Sequence, residues 1–449
     1  MQRSFQFYLF AVIYIISMAA CDRSDSVRLI TLDPGHFHAA LVQKSMHGGI
    51  DKTVYVYAPE GKDMQLHMDR INGYNARSEN PTSWKTVTYS GNDFVERMLS
   101  EKKGNVVVLA GNNSRKTEYI KRSIEAGFDV LADKPMVIQP EQYEMLVEAF
   151  KTAEEKGLLL YDIMTERYEI TSILQRELSM IPEIFGEPEN GTPEAPAVVK
   201  ESVHHFYKMV SGKPLIRPSW FMDTRQQGAG IVDVTTHLAD LVQWSCFPEQ
   251  VLEFEKDVRL ISAGQWTTPL SRDQFTKVTG MSDFPTDFQT LKTSDSVIAV
   301  NCNGYILYTL RGRHIKIKVD WAFEAGPGKG DTHYSFMAGS GSDLVIRQGE
   351  EQNFKPVLYI EPHSETSDSK IISAFESVSK KFPGVVLRKS GKAFEVHVPD
   401  SYHNGHEAHF GQVLEKFLKY REVGKLPEWE KAAMLTKYKL LMAALNFRQ

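Results

Sequence analysis

Residues 27–163 alternate between two kinds of text, and that alternation leaves few folds open. Apolar, β-branched runs stand at 27–32, 53–58, 86–89, 105–110, 128–132 and 158–163. Helical patterns at 37–46, 64–71, 93–101, 116–126 and 140–156 fall between most of them. A strand, a crossover helix and a second strand place the two strands parallel, so this stretch predicts an α/β, doubly wound parallel sheet. The runs Val106-Val107-Val108-Leu109-Ala110 and Leu158-Leu159-Leu160-Tyr161 are apolar almost without a break. That composition suits strands buried on both faces, whereas a half-exposed strand would alternate.

The pattern changes after residue 163. Residues 181–196 are rich in Pro, Glu and Gly and read as a loop opening a second domain, with a strand at 198–206. From 251 to 363 the text favours strands; Tyr305-Ile306-Leu307-Tyr308-Thr309-Leu310 alternates with the two-residue period of a half-buried strand. Residues 263–292 look irregular, as a surface insertion would. A helix at 370–382, a short strand at 394–399 and long helical patterns at 407–421 and 429–447 follow. Residues 164–449 therefore predict an α+β domain with an open, mainly antiparallel sheet, its C-terminal helices returning to the first domain.

The formal charge of −5 over 449 residues, with no basic block, argues against a nucleic-acid partner. At the N-terminus Arg3 precedes an apolar run at 5–20 that ends Met18-Ala19-Ala20 before Cys21. A positive start, a short apolar core and small residues before the cut make a signal peptide, too short for a comfortable membrane span. The small residues before Cys21 resemble a bacterial lipobox, so residues 1–20 are expected to be removed, Cys21 to be lipidated, and 21–26 to serve as a tether. The expectation is an exported lipoprotein, in the periplasm or at the cell surface, touching the membrane only through its anchor and free to form homo-oligomers. Cys246 and Cys302 are expected to remain two separate thiols.

Two motifs carry chemistry. The strand text 128–132 runs into Ala132-Asp133-Lys134-Pro135, which puts a lysine at the C-terminal end of a strand, where ligands of α/β sheets bind. Gly228-Ala229-Gly230 then opens a helical run in which Asp233, His237 and Asp240 are spaced to share one face. A lysine with an Asp/His pair can manage the proton of an alcohol or carbonyl.

Together these motifs resemble the Gfo/Idh/MocA family, the glucose-fructose oxidoreductase and inositol dehydrogenase relatives, over residues 27–245 and the C-terminal helix. The family's Glu-Lys-Pro is here Asp133-Lys134-Pro135, and its Gly-Gly-x-x-x-Asp-x-x-x-His-x-x-Asp helix is here Gly228 to Asp240. The resemblance implies a Rossmann-type dinucleotide-binding domain at 27–163 and an NAD(P)-dependent oxidoreductase acting on a CH–OH group of a sugar, glycoside or cyclitol. It places Lys134, His237 and Asp233 around the reacting carbon. His237 is taken as base, Lys134 as hydrogen-bond donor and Asp233 as orienter of His237 or substrate ligand; exchanging the roles of Lys134 and His237 stays open.

The phosphate turn departs from G-x-G-x-x-G. In Asp33-Pro34-Gly35-His36-Phe37-His38 only Gly35 holds a fingerprint position, Asp33 and His38 replacing the flanking glycines. The residues expected to hold the cofactor are Gly35, His36, Phe37, His38, Glu60, Gly111, Asn112, Asn113, Asp133 and Lys134. The cofactor is expected to be NAD, retained through the cycle, with NADP permitted because Ala58 ends the second strand without an acid. Arg167, His204, His205, Trp220, Asp223, Arg225 and Asp240 are the expected substrate ligands, mixing aromatic, acidic and basic groups as sugar sites do. No metal is expected. Two rivals remain: a sugar-binding lipoprotein on the same fold, and a metal-dependent lyase or hydrolase using His403, His406, Glu407 and His409 with the histidines at 36, 38, 204, 205 and 237.

Overall fold

The computed structural model describes residues 26–210 and 213–447; the signal segment and Cys21 lie outside the described residues. Six strands form one parallel sheet: β1 (Leu29–Leu32), β2 (Thr53–Ala58), β3 (Lys85–Ser90), β4 (Val106–Leu109), β5 (Asp129–Asp133) and β6 (Leu160–Ile163). Their order is β3-β2-β1-β4-β5-β6, so the winding reverses between β1 and β4. Such a switch point opens a crevice at the strands' C-terminal ends. Strands β1, β4, β5 and the edge strand β6 are buried along their whole length, β5 and β6 including the buried carboxylates of Asp129, Asp133 and Asp162.

The helix after β1 is the exception among the crossovers. The expected 37–46 shrinks to His38–Leu41, because Gln43 and Lys44 donate to carbonyls three residues back and the chain winds out in tight turns. A first helix this short offers little of the aligned backbone that a Rossmann phosphate site usually exploits.

The second sheet contains β7 (Val198–Tyr207), β10 (Val258–Ser271), β11 (Lys292–Ser294), β12 (Val297–Leu310), β13 (Arg313–Glu324), β14 (Thr332–Met337), β15 (Ser342–Gln348), β16 (Val357–Pro362), β17 (Val386–Ser390) and β18 (Ala393–His397). A small hairpin of β8 (Met209–Val210) and β9 (Lys213–Pro214) stands apart. The order is β10-β12-β13-β7-β14-β15-β16-β18-β17, with β11 beside β12, and only the β13–β7 pairing is parallel. The expected irregular insertion at 263–292 is corrected here, since β10 runs to Ser271 along β12. Register shifts between Leu260 and Ser262 and between Trp266 and Thr268 break its alternation, which is why the period-two signal fails there.

The helix Thr235–Cys246 packs on β7 and β13, which brings its N-terminal end under the crevice of the first sheet. The last two helices, His406–Val423 and Glu428–Leu445, return to the first domain as expected. Arg421 Nε donates to Asp129 Oδ2 at 2.9 Å, and Tyr143 donates to the Leu435 carbonyl at 3.2 Å. Cys246 and Cys302 are separate free thiols.

Candidate active site

The crevice holds a cavity of about 370 Å³. Lys134, Asp233 and His237 line it together with His204, Glu166 and His406. Asp133 and Lys134 reach it because they end β5, and the Lys134–Pro135 peptide is cis. Lys134 Nζ donates to Asp233 Oδ1 at 2.6 Å, with both side chains nearly closed off from water.

Asp233 comes from a turn rather than from the helix. Ala229–Val234 coil tightly before the helix begins at Thr235, so the shared-face spacing inferred for Asp233, His237 and Asp240 does not apply. The glycines set that turn: Gly228 sits at φ +100°, and a Cβ on Gly230 would lie 1.8 Å from the Cys302 carbonyl oxygen. Gly230→Ala must push β12 away from the turn and is expected to cost about 3 kcal/mol, at the upper end of overpacking. A chemical-denaturation midpoint equal to wild type would show that the turn yields freely.

Asp233 serves Lys134 and does not orient His237, which corrects that assignment. The His237 Nδ1 atom has no partner among the described residues. Burial, then the nearby Lys134 ammonium and His406, push the His237 pKa well below the ordinary imidazole value. The ring is therefore neutral and lines the cavity, where an imidazole can accept a hydrogen bond from a substrate hydroxyl.

Arg167 and Asp240 do not reach the cavity. Arg167 donates to Asp240 Oδ2 at 2.6 Å and to Glu430 Oε2 at 2.9 Å, and Lys437 bridges Asp240 and Asp162 at 2.8 and 2.7 Å. Burial would raise the Asp240 carboxyl, but Arg167 and Lys437 overcome it and hold the group well below the usual carboxylate range. This is a structural ion network beneath the site. Glu166, one residue before Arg167, turns instead to the cavity, and the sequence reading missed it.

The remaining expected substrate ligands divide. His204 lines the cavity with its ring centroid 5.2 Å from that of Trp321. His205 turns to Asp331 at 2.8 Å. Asp223 caps the short helix Thr224–Gln227 and pairs with Arg225 at 2.8 Å, outside the cavity. Trp220 lines a second chamber of about 340 Å³, with Glu60 and Asp33. Asn112 and Asn113 hold the same short helix through Gln226 and the Gln227 carbonyl, both at 2.7 Å; only Asn113 also faces the cavity.

A nicotinamide dinucleotide laid across this crevice has a chamber for each half, the second one carrying Glu60 for a ribose. A small pocket of about 20 Å³ beside Gly35 shares lining residues with both. A Cβ on Gly35 would meet Asp63 Oδ2 and Trp220 Cζ2, each at 3.1 Å, and Trp220 Nε1 donates to Asp63 at 3.0 Å. Burial raises the pKa of the Asp33 and Asp63 carboxyls on either side. The buried Arg217 guanidinium lines all three spaces, donates to the Phe206 and His205 carbonyls and lies 4.5 and 5.3 Å from the Phe221 and Trp321 ring centroids, with no carboxylate ion-paired to it among the described residues. The two chambers fit the halves of a dinucleotide, and Trp220 and Asp63 cover Gly35 between them.

Residues 35–161 match the family described as "Oxidoreductase family, NAD-binding Rossmann fold", and residues 174–449 match the "Putative oxidoreductase C terminal domain". No curated protein matches the sequence. A crystal structure of a "putative oxidoreductase" from Parabacteroides merdae is 52% identical, covers 94% of this chain and 97% of its own, and superposes with a TM-score of 0.92. More distant folds include KijD10, a 3-ketoreductase from Actinomadura kijaniata in complex with NADP and TDP-benzene. It is 15% identical over 92% of this chain and 95% of its own, with a TM-score of 0.54. An oxidoreductase domain protein from Kribbella flavida is 17% identical over 92% and 95%, with a TM-score of 0.58. With both halves matched in order and half the residues shared with a structure of the same length, the chain belongs to the Gfo/Idh/MocA family of oxidoreductases.

Proposed function

We propose that this protein interconverts a secondary hydroxyl and a ketone on a sugar, glycoside or cyclitol, using NAD or NADP, as a lipoprotein exported and anchored through Cys21. The observation that carries the reading is the Lys134–Asp233 ion pair and the neutral His237 lining one cavity at the switch point of an NAD-binding fold. Bound there, the cofactor would exchange a hydride with the substrate carbon. Glu60 would hold a ribose, Arg217 the pyrophosphate, and Gly111 and Asp133 the wall along the nicotinamide half. Lys134, fixed by Asp233, donates a hydrogen bond to the reacting oxygen. His237 takes that oxygen's proton as a carbonyl forms and returns it in the reverse direction. His204, Glu166 and Trp321 give the polar and aromatic surface a ring substrate needs.

An exported enzyme meets no pool of free nicotinamide cofactor, so the cofactor is expected to stay bound and be regenerated by a second sugar. Dialysed protein mixed with a donor and an acceptor sugar is expected to turn over many times, absorbance at 340 nm rising and falling in single-turnover halves. Turnover only while free cofactor is supplied in step with product would overturn retention; no change at 340 nm with any polyol or keto-sugar would overturn the redox reading. Anchoring is tested separately, since Cys21→Ala should move the protein from the membrane to the soluble fraction. The sugar-binding rival draws on the Trp220–Asp63 closure over Gly35. It predicts sugar binding with no nucleotide binding, even in Trp220→Ala.

A further inference from the structure

His36, His38 and Asp133 bring two imidazoles and a carboxylate to one point on the cavity wall. His38 Nδ1 lies 2.9 Å from Asp133 Oδ2, and His36 Nδ1 lies 3.8 Å from the same oxygen. One donor atom from each residue falls within 4.8 Å of the other two. An ion with ligands about 2.1 Å away separates neighbouring donors by roughly 3 to 3.5 Å, and these spacings bracket that range. Among the described residues no other triplet of His, Cys, Asp or Glu meets this test; His403, His406 and His409, the expected rival cluster, do not gather into one.

The ligands stand on two fixed pieces of backbone. The His36 N–H is tied to the Ala110 carbonyl at 3.2 Å, and the Asp133 carbonyl is held by Lys116 Nζ at 2.9 Å. An ordinary hydrogen bond explains the contact of His38 with Asp133. It does not explain His36, whose Nδ1 accepts the His38 N–H at 3.4 Å and therefore carries no proton, yet faces a carboxylate oxygen across the gap. With His38 7% and Asp133 4% exposed, the three donors converge at a buried point, and a cation there would replace the long 3.4 Å His38 N–H contact at His36 Nδ1.

We propose that His36, His38 and Asp133 form a site for one divalent first-row transition-metal ion, its open positions facing the cavity. Two nitrogens and one carboxylate suit zinc, manganese, iron or cobalt rather than magnesium or calcium, which take oxygen ligands. His406, whose ring centroid lies 5.8 Å from that of His38, stands within reach as a further ligand. The site does not depend on the redox reading, because metal binding is measured with no nucleotide or sugar present.

The test titrates chelator-treated full-length protein with Co²⁺ alone, followed by visible absorption, and with Zn²⁺ alone, followed by calorimetry. One ion per chain is expected, with visible bands of a nitrogen- and oxygen-ligated cobalt site and a rise in Tm. Lys134 and Arg217 on the same wall oppose a dication, so a dissociation constant near ~10⁻⁶ M is expected. His36→Gln, His38→Gln and Asp133→Asn should each weaken binding by about tenfold to a hundredfold or more, while exposed His403→Gln should leave it unchanged. Circular dichroism of each variant separates lost binding from lost folding. Absent stoichiometric binding, or binding indifferent to all three substitutions in folded protein, would overturn the site.

Discussion

Lys134→Ala is expected to lower turnover by about two to four orders of magnitude, and His237→Ala by a comparable factor, the usual worth of a positioned acid or base. The expectation rests on geometry. Lys134 cannot turn away from the cavity without breaking a 2.6 Å bond to Asp233, and its ammonium is one of the groups that keep His237 neutral. Removing Lys134 therefore takes away the donor to the reacting oxygen and also alters the basicity of the acceptor. KM should move far less than kcat, since most contacts to a ring substrate come from other walls. Asp233→Asn tests the pairing: it keeps the shape, frees the lysine and should lower kcat while leaving the fold intact. If Lys134→Ala retained near-normal kcat on the physiological sugar, the proton would have to be handled elsewhere, and His237 with Glu166 would be the remaining pair.

Lys437→Met is expected to destabilise the folded chain by about 3–5 kcal/mol, the cost of stranding buried charge. The Lys437 side chain is 0% exposed and sits between Asp162 and Asp240. Those two carboxylates have few other partners: Tyr438 donates to Asp162 at 3.1 Å, and Arg167 already divides itself between Asp240 and Glu430. Without the ammonium, Asp162, whose pKa burial already raises, would bind its proton still more tightly in the folded state than in the unfolded one, while Arg167 stays on Asp240. Stability then falls as pH rises through the range where Asp162 must ionise, so the deficit should be larger near about pH 8 than near about pH 5. Urea unfolding at the two pH values measures this. A deficit that does not change with pH would mean that the loss is one of packing rather than charge.

How much of this could be read from the chain depends on the range of each interaction. The first sheet was legible because strands such as Val106–Leu109 are buried on both faces, which leaves apolar runs at 106–110 and 158–161. The position of Lys134 followed from its place at a strand end. Strand β10 was hidden because two bulges scramble its alternation. Arg167 was misassigned because its partners Asp240 and Glu430 lie 73 and 263 residues further on. Glu166 and Arg167 are neighbours with opposite destinations, and only the turn at Thr165–Tyr168 decides which of them meets the cavity. Trp220 was expected among the substrate ligands, but it lies outside the Lys134 cavity, and its seat over Gly35 depends on Asp63, 157 positions away. His36 and His38 were noticed as glycine replacements in a phosphate turn, and nothing local to them announces Asp133 as their common neighbour.

The return of the last helices sets a limit on how this chain can be cut and recombined. Arg421, in the penultimate helix, ends at Asp129 on the first residue of β5, the strand that also delivers Asp133 and Lys134. The nucleotide-binding half is thus not a transplantable cassette. A chimera joining residues up to 163 to another relative's second half would leave the first residue of β5 facing a foreign surface. Swaps between relatives should succeed only when the two terminal helices travel with the first half, so the unit of exchange is set by contact rather than by position along the chain.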